Sequence, residues 1–256
     1  MPGILGAGLL GTALREAALD ALAVLLPLTC AGCGRADRAL CRDCRVACAV
    51  APGPRSTTVQ VLSGVIPVVS ALRYDGAVRA TILAFKESGR TDVARPLSAA
   101  LRVAIEEAAR IAEPSAERPR HPELELCTVP STREGQRRRG YRPVDLLLRS
   151  AGFRADRVLA TAATATQQKA LGREERGVNL RGSLRARRRL DGRRFVLVDD
   201  IVTTGATLSE AARAVREAGG EVLACASLAF TPLRIAPHGP LLEPARDIHS
   251  IGGYGV

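Results

Sequence analysis

The chain has 256 residues, 46% hydrophobic and 25% charged, ordinary values for one large globular domain or two smaller ones. They exclude wholesale disorder, collagen-like repeats and a polytopic membrane protein, and 3% aromatics with no Trp disfavour a base-stacking platform. The net charge is +11, but only Lys86 and Lys169 among 37 basic residues are lysines, so part of that charge is an arginine bias of composition.

The pattern of residues 9–26, rich in Leu and Ala with charges on one side, predicts an amphipathic helix ended by Pro27. Gly6-Ala-Gly8-Leu-Leu-Gly11 has the GxGxxG form, but no strand precedes it, so it lacks the context of a dinucleotide site. The N-terminus has no basic region of a secretory signal, and Arg15, Glu16 and Asp20 interrupt its apolar stretch. No uncharged run reaches the ~18 residues of a membrane span. A cytoplasmic protein is expected.

Residues 28–48 form a cysteine knuckle. Cys30-x2-Cys33 and Cys41-x2-Cys44 are two CxxC pairs seven residues apart. Each pair presents two thiolates from one tight turn, and two such turns close a four-sulfur shell around zinc. A closed shell leaves no position for water, so the zinc is expected to be structural. The competing readings are a redox pair or a degenerate finger. Cys48 reads as a spare thiol, and Cys127 and Cys225 as small core residues.

A Pro/Gly linker is predicted over 49–58, a strand over 65–72, a helix over 76–87 and a second over 92–111 after the break at Ser88-Gly89-Arg90. Residues 113–122 read as a polar loop. A strand over 125–129, a basic loop over 130–142, a helix over 143–151 and a short strand over 157–160 follow, then a polar stretch to about 189. An apolar strand over 195–198, a helix over 208–218 stopped by Gly219-Gly220, and a strand over 221–229 make a βαβ crossover and hence a parallel sheet. The domain division expected is an N-terminal helix and zinc module over 1–55, an α/β domain over 60–230 and a loose tail over 231–256. His121, His238 and His249 fall in predicted loops or the tail, with no Ser or Asp constellation beside them.

The strongest feature is Val196-Leu-Val-Asp199-Asp200-Ile201-Val202-Thr203-Thr204-Gly205-Ala206-Thr207. An apolar strand delivers two carboxylates to its C-terminal end, where parallel sheets bind ligands. Small residues and a glycine then lead into a helix, whose N-terminus and Thr hydroxyls suit a phosphate. Two acids beside a phosphate would repel it unless a sugar diol lay between, its hydroxyls donating to the carboxylates. Magnesium on the same diol and a pyrophosphate would be stabilised by the same acids. The pattern asks for a ribose 5-phosphate activated at carbon 1; the plain alternative is a strand–turn–helix with incidental acids.

This segment closely resembles the phosphoribosyl pyrophosphate (PRPP) signature of type I phosphoribosyltransferases, and the four-cysteine module ahead of it resembles the ComF competence family. Tyr74-Asp-Gly76, the Lys86-Glu-Ser-Gly89 segment, Val129-Pro130-Ser131, Arg138-Arg139-Gly140-Tyr141 and Gln168-Lys-Ala-Leu171 with Arg176 and Asn179 extend the resemblance over about residues 20–230. Arg142-Pro143 stands where that family usually has Asn-Gln. The resemblance implies a parallel α/β phosphoribosyltransferase-like domain with a small hood. It places Asp199 and Asp200 on the ribose hydroxyls and Ile201 through Thr207 around PRPP, with Lys86, Ser131, Arg138 and Arg139 as pyrophosphate candidates. The implied cofactors are structural zinc and magnesium carried with PRPP.

Residues 131–194 hold 18 Arg or Lys against 6 Asp or Glu, while the rest of the chain sums to −1. Arginine-rich loops neutralising an anionic ligand account for part of this excess; the remainder is solvated or faces nucleic acid. Three function classes stay open: a phosphoribosyltransferase acting on a nitrogen acceptor, a PRPP- or nucleotide-binding regulator, and a competence factor contacting single-stranded DNA or DNA-processing proteins.

Overall fold

The computed structural model describes residues 29–36, 38–49, 55–61, 64–113, 123–131, 133–162 and 180–231. The predicted N-terminal helix, the GxGxxG run, the three histidines, residues 168–179 and the tail beyond residue 231 lie outside them.

The knuckle comes first, closed by helix α1 (Arg42–Ala47). Strands β1 (Arg55–Val61) and β2 (Gly64–Arg73) form an antiparallel pair, and β1 corrects the expected linker over 49–58. Thr57, Thr58 and Val59 are β-branched and favour strand in spite of the Pro/Gly residues just before them. Helix α2 (Gly76–Glu87) follows with the predicted bounds. A 3-10 turn (Thr91–Val93) leads into α3 (Ala94–Ala112).

Strand β3 (Leu124–Thr128) precedes α4 (Arg133–Arg139), which replaces the expected basic loop, and α5 (Pro143–Ser150). Strands β4 (Leu159–Thr161) and β5 (Leu184–Ala186) pair antiparallel as a separate small sheet. The final unit is β6 (Arg194–Val202), α6 (Ala206–Glu217) and β7 (Glu221–Phe230).

The main sheet has the order β1-β2-β7-β6-β3. Four strands, β2, β7, β6 and β3, run parallel, and β1 is an antiparallel edge. The fold is therefore α/β with the parallel four-strand sheet typical of type I phosphoribosyltransferases, behind a four-cysteine knuckle. Alternation along β6 explains its unbroken apolar run: Val196 and Val198 enter the core shared with α2 and α3, while Phe195 and Leu197 enter the core under α6. On α3, Leu97, Leu101, Ala104, Ile105 and Ala108 form one buried stripe at helical spacing. Buried Cys127 and Cys225 fill the second core as expected.

The knuckle belongs to the same packing: Cys30, Cys41, Cys44, Cys48 and Leu40 are buried with Val78, Ile82 and Phe85 of α2. Arg90, just beyond α2, ties it down. Its guanidinium donates to the carbonyls of Thr29 (2.9 Å) and Ala39 (3.3 Å) and pairs with Asp92 (2.8 Å). No helix among the described residues is long and apolar enough to cross a membrane.

Candidate functional site

β6 runs four residues past the strand expected over 195–198, so Asp199, Asp200, Ile201 and Val202 are strand residues at the C-terminal end of the sheet. The neighbouring register extends with it: Asp199 lies opposite Ser227, Ile201 opposite Ala229. Thr203 and Thr204 are exposed. Gly205 then turns the chain with φ +77°, a left-handed conformation that a side chain disfavours, and caps α6. α6 starts at Ala206, two residues earlier than expected, so Ala206 and Thr207 lie in its first turn. The N–H groups of a first turn have no intrahelical acceptors. The loop can therefore present backbone donors, threonine hydroxyls and the helix dipole to one anion.

Asp199 and Asp200 are half-buried. Desolvation, reinforced by the charge of Asp200, pushes the Asp199 carboxyl up to about 7, against the opposing pull of the Asp200 N–H and Lys86. The Asp200 N–H donates to Asp199 Oδ1 at 2.8 Å. Lys86, in the last turn of α2, places its Nζ 2.8 Å from Asp200 Oδ2. Asp200 of β6 and Lys86 of the distant Tyr-x-Gly…Lys segment thus meet. Among the described residues no cation pairs directly with Asp199.

The other pyrophosphate candidates divide. Arg138 and Arg139, at the end of α4, both reach Glu87, the residue after Lys86, Arg139 at 3.2 Å. Tyr141 donates its hydroxyl to the Phe85 carbonyl and stacks edge-on against that ring at 5.7 Å. Ser131 is half-buried in the turn between β3 and α4, on the same side of the sheet order as β6. Glu87 had no motif to announce it; its only sequence signal is adjacency to Lys86 opposite an arginine cluster.

Several arginines of the basic segment 131–194 are paired within the fold. Arg193 bridges Glu125 and Asp156, its guanidinium 5.1 Å from the Phe195 ring centroid. Arg188 pairs with Asp156, Arg189 with Asp191 and Arg157 with Asp145.

The sulfurs of Cys30, Cys33, Cys41 and Cys44 lie within 4.8 Å of one another. Cys33 and Cys41 Sγ are 3.7 Å apart, close to the edge of a tetrahedron with Zn–S bonds of about 2.3 Å. Burial would raise the Cys30 thiol, but N–H groups of Cys41, Cys33 and Gly32 outweigh it and lower it to about 6. The Cys41 N–H reaches the Cys30 sulfur at 3.3 Å. Cys44 is driven the other way, by burial and by the neighbouring sulfurs. Gly32 is needed for closeness, since a Cβ there would sit 2.7 Å from Cys44 Sγ and 3.1 Å from Thr81 Oγ1. The four-cysteine set can hold zinc.

Residues 140–241 match the phosphoribosyl transferase domain family. The chain is also similar to proteins called DNA utilization protein YhgH. It is 29% identical over 193 residues to the one from Escherichia coli K12, covering 72% of this chain and 82% of the relative. The one from Shigella flexneri matches to the same extent, and that from Escherichia coli O6:H1 is 28% identical over 190 residues, 72% of this chain and 81% of the relative.

Proposed function

We propose that this chain, which matches the phosphoribosyl transferase domain family over residues 140–241 and is similar to proteins called DNA utilization protein YhgH, is a ComF-type protein that binds PRPP with magnesium and transfers its phosphoribosyl group to a nitrogen acceptor. The observation that carries this reading is the convergence at one sheet end of Asp199, Asp200, the Gly205-turned loop and Lys86.

In this reading Asp199 and Asp200 accept the ribose 2- and 3-hydroxyls. Thr203 through Thr207 cradle the 5-phosphate at the start of α6. Lys86, Arg138 and Arg139 face the pyrophosphate, with Ser131 beside them. The bond from carbon 1 to the pyrophosphate oxygen breaks, its electron pair leaves with pyrophosphate, and the acceptor nitrogen closes on carbon 1. The chain's own contribution is orientation of the sugar and stabilisation of charge on the leaving group. Magnesium, when bound, supplies further neutralisation of the pyrophosphate. Zinc in the knuckle is structural, and residues 1–55 and 60–230 serve as metal module and transferase domain.

The test is pyrophosphate release from PRPP and magnesium across nucleobases and simple amines. Release with one acceptor class, abolished in Asp199→Asn, supports the transferase. Tight PRPP binding without release against any of them points to the regulator.

A second reading, a factor acting on nucleic acid, has its own support: relatives called DNA utilization proteins, with exposed Arg149, Arg154, Arg181 and Arg185 on the basic part of the chain. A DNA affinity that falls steeply with salt would favour it.

A further inference from the structure

Lys86, Arg138 and Arg139, the described cation candidates for a pyrophosphate, are each already matched by a carboxylate. Lys86 is held by Asp200 at 2.8 Å. Arg138 and Arg139 share the carboxylate of Glu87, which is exposed at the end of α2. Arg139 is mostly buried, at 12% side-chain exposure, and its Nε has no hydrogen-bond partner among the described residues. It therefore holds donor capacity that Glu87 does not use. The join between α4 and α2 does not depend on Glu87 alone: the Tyr141 hydroxyl on the Phe85 carbonyl and the edge-on ring contact fasten it independently.

We propose that Glu87 is a built-in stand-in for the pyrophosphate, a specificity-determining carboxylate that occupies the Arg138–Arg139 pair until a diphosphate displaces it. The inference rests on the PRPP reading above. A carboxylate offers one charge and two oxygens, whereas a diphosphate offers several of each. A diphosphate wins the exchange, and a ligand without one cannot drive it. Once carbon 1 has parted from the pyrophosphate, Glu87 reclaims the arginines and helps the product leave.

The experiment is calorimetric titration of the full-length, zinc-loaded protein with magnesium-PRPP, magnesium-pyrophosphate and ribose 5-phosphate, for wild type, Glu87→Gln and Glu87→Asp. Removing the competing charge should tighten PRPP and pyrophosphate binding about three- to tenfold in Glu87→Gln, the range expected from two surface ion pairs. Ribose 5-phosphate should bind unchanged. Glu87→Asp keeps the charge but withdraws it by one methylene, and should fall between. Unchanged or weaker pyrophosphate binding in Glu87→Gln, with a wild type that binds PRPP, would overturn the proposal and leave Glu87 as a brace for α4. A wild type that binds no PRPP would instead overturn the reading beneath it.

Discussion

Asp199 sets the pH behaviour of the site. Its carboxyl is raised to about 7 by burial and by Asp200, while the unfolded chain releases the same proton near 4. Between those values the folded state binds more protons, so its stability is full below the window and is lost as pH rises through about 7. Asp199→Asn is therefore expected to stabilise the ligand-free protein by about 1–2 kcal/mol at pH 8 and to change little at pH 4, read by thermal melts at both. In the proposed PRPP reading Asp199 accepts the ribose hydroxyls in its ionised form, so PRPP affinity should weaken about tenfold from pH 8 to pH 6. A flat affinity profile would contradict this role. At the knuckle, Gly32→Ala drives a methyl into Cys44 and Thr81. It should lower zinc affinity by at least about tenfold in a chelator competition. An unchanged affinity would show that the sulfurs are not held as closely as described.

Among the elements, those whose pattern reflects their own burial were legible in the sequence, and those fixed by distant partners were not. α2 has the predicted ends because Val78, Ile82 and Phe85 make one apolar stripe; β6, α6 and β7 were legible as elements, though β6 runs on to Val202 and α6 starts at Ala206. The acid pair was legible because its chemistry is written in consecutive residues. α4 was not, since Arg-Glu-Gly-Gln-Arg-Arg-Arg carries no apolar period, and its described ties are made by Arg138, Arg139 and the following Tyr141 to α2. β5 was hidden for a similar reason. Its Leu184 N–H donates to buried Glu210 of α6 at 2.9 Å, and Arg213 binds both Glu210 and the Leu184 carbonyl. The β4–β5 sheet is thus pinned to α6, the helix that starts after the Gly205 turn. Glu210→Ala leaves the Leu184 N–H and part of Arg213 without their acceptor. It should cost about 2–3 kcal/mol in denaturant unfolding and raise hydrogen exchange at Leu184 above that of β7. A cost under about 0.5 kcal/mol would mean the small sheet is held by other contacts.

At the scale of the whole molecule, the knuckle and the acid pair are joined through α2. One end of the path is Cys44 beside Gly32 and Thr81, with Arg90 strapping the knuckle down; the other is Lys86 on Asp200. Three of the four candidate zinc ligands, Cys30, Cys41 and Cys44, are buried in the core that also holds Ile82 and Phe85, so zinc held there would couple to folding. Chelation of zinc should lower the melting midpoint and weaken PRPP binding together, with both restored by re-addition of zinc. A loss of stability with PRPP affinity intact would show that the two ends are independent.

The central claim is that β6 and its loop form a PRPP pocket. Its most direct test is calorimetric titration of the zinc-loaded protein with PRPP and magnesium, wild type beside an Asp199→Asn/Asp200→Asn variant. Saturable one-to-one binding in the wild type, lost or weakened at least about a hundredfold in a variant that still melts cooperatively, is the expected result. No binding in either protein, or equal binding in both, would contradict the account.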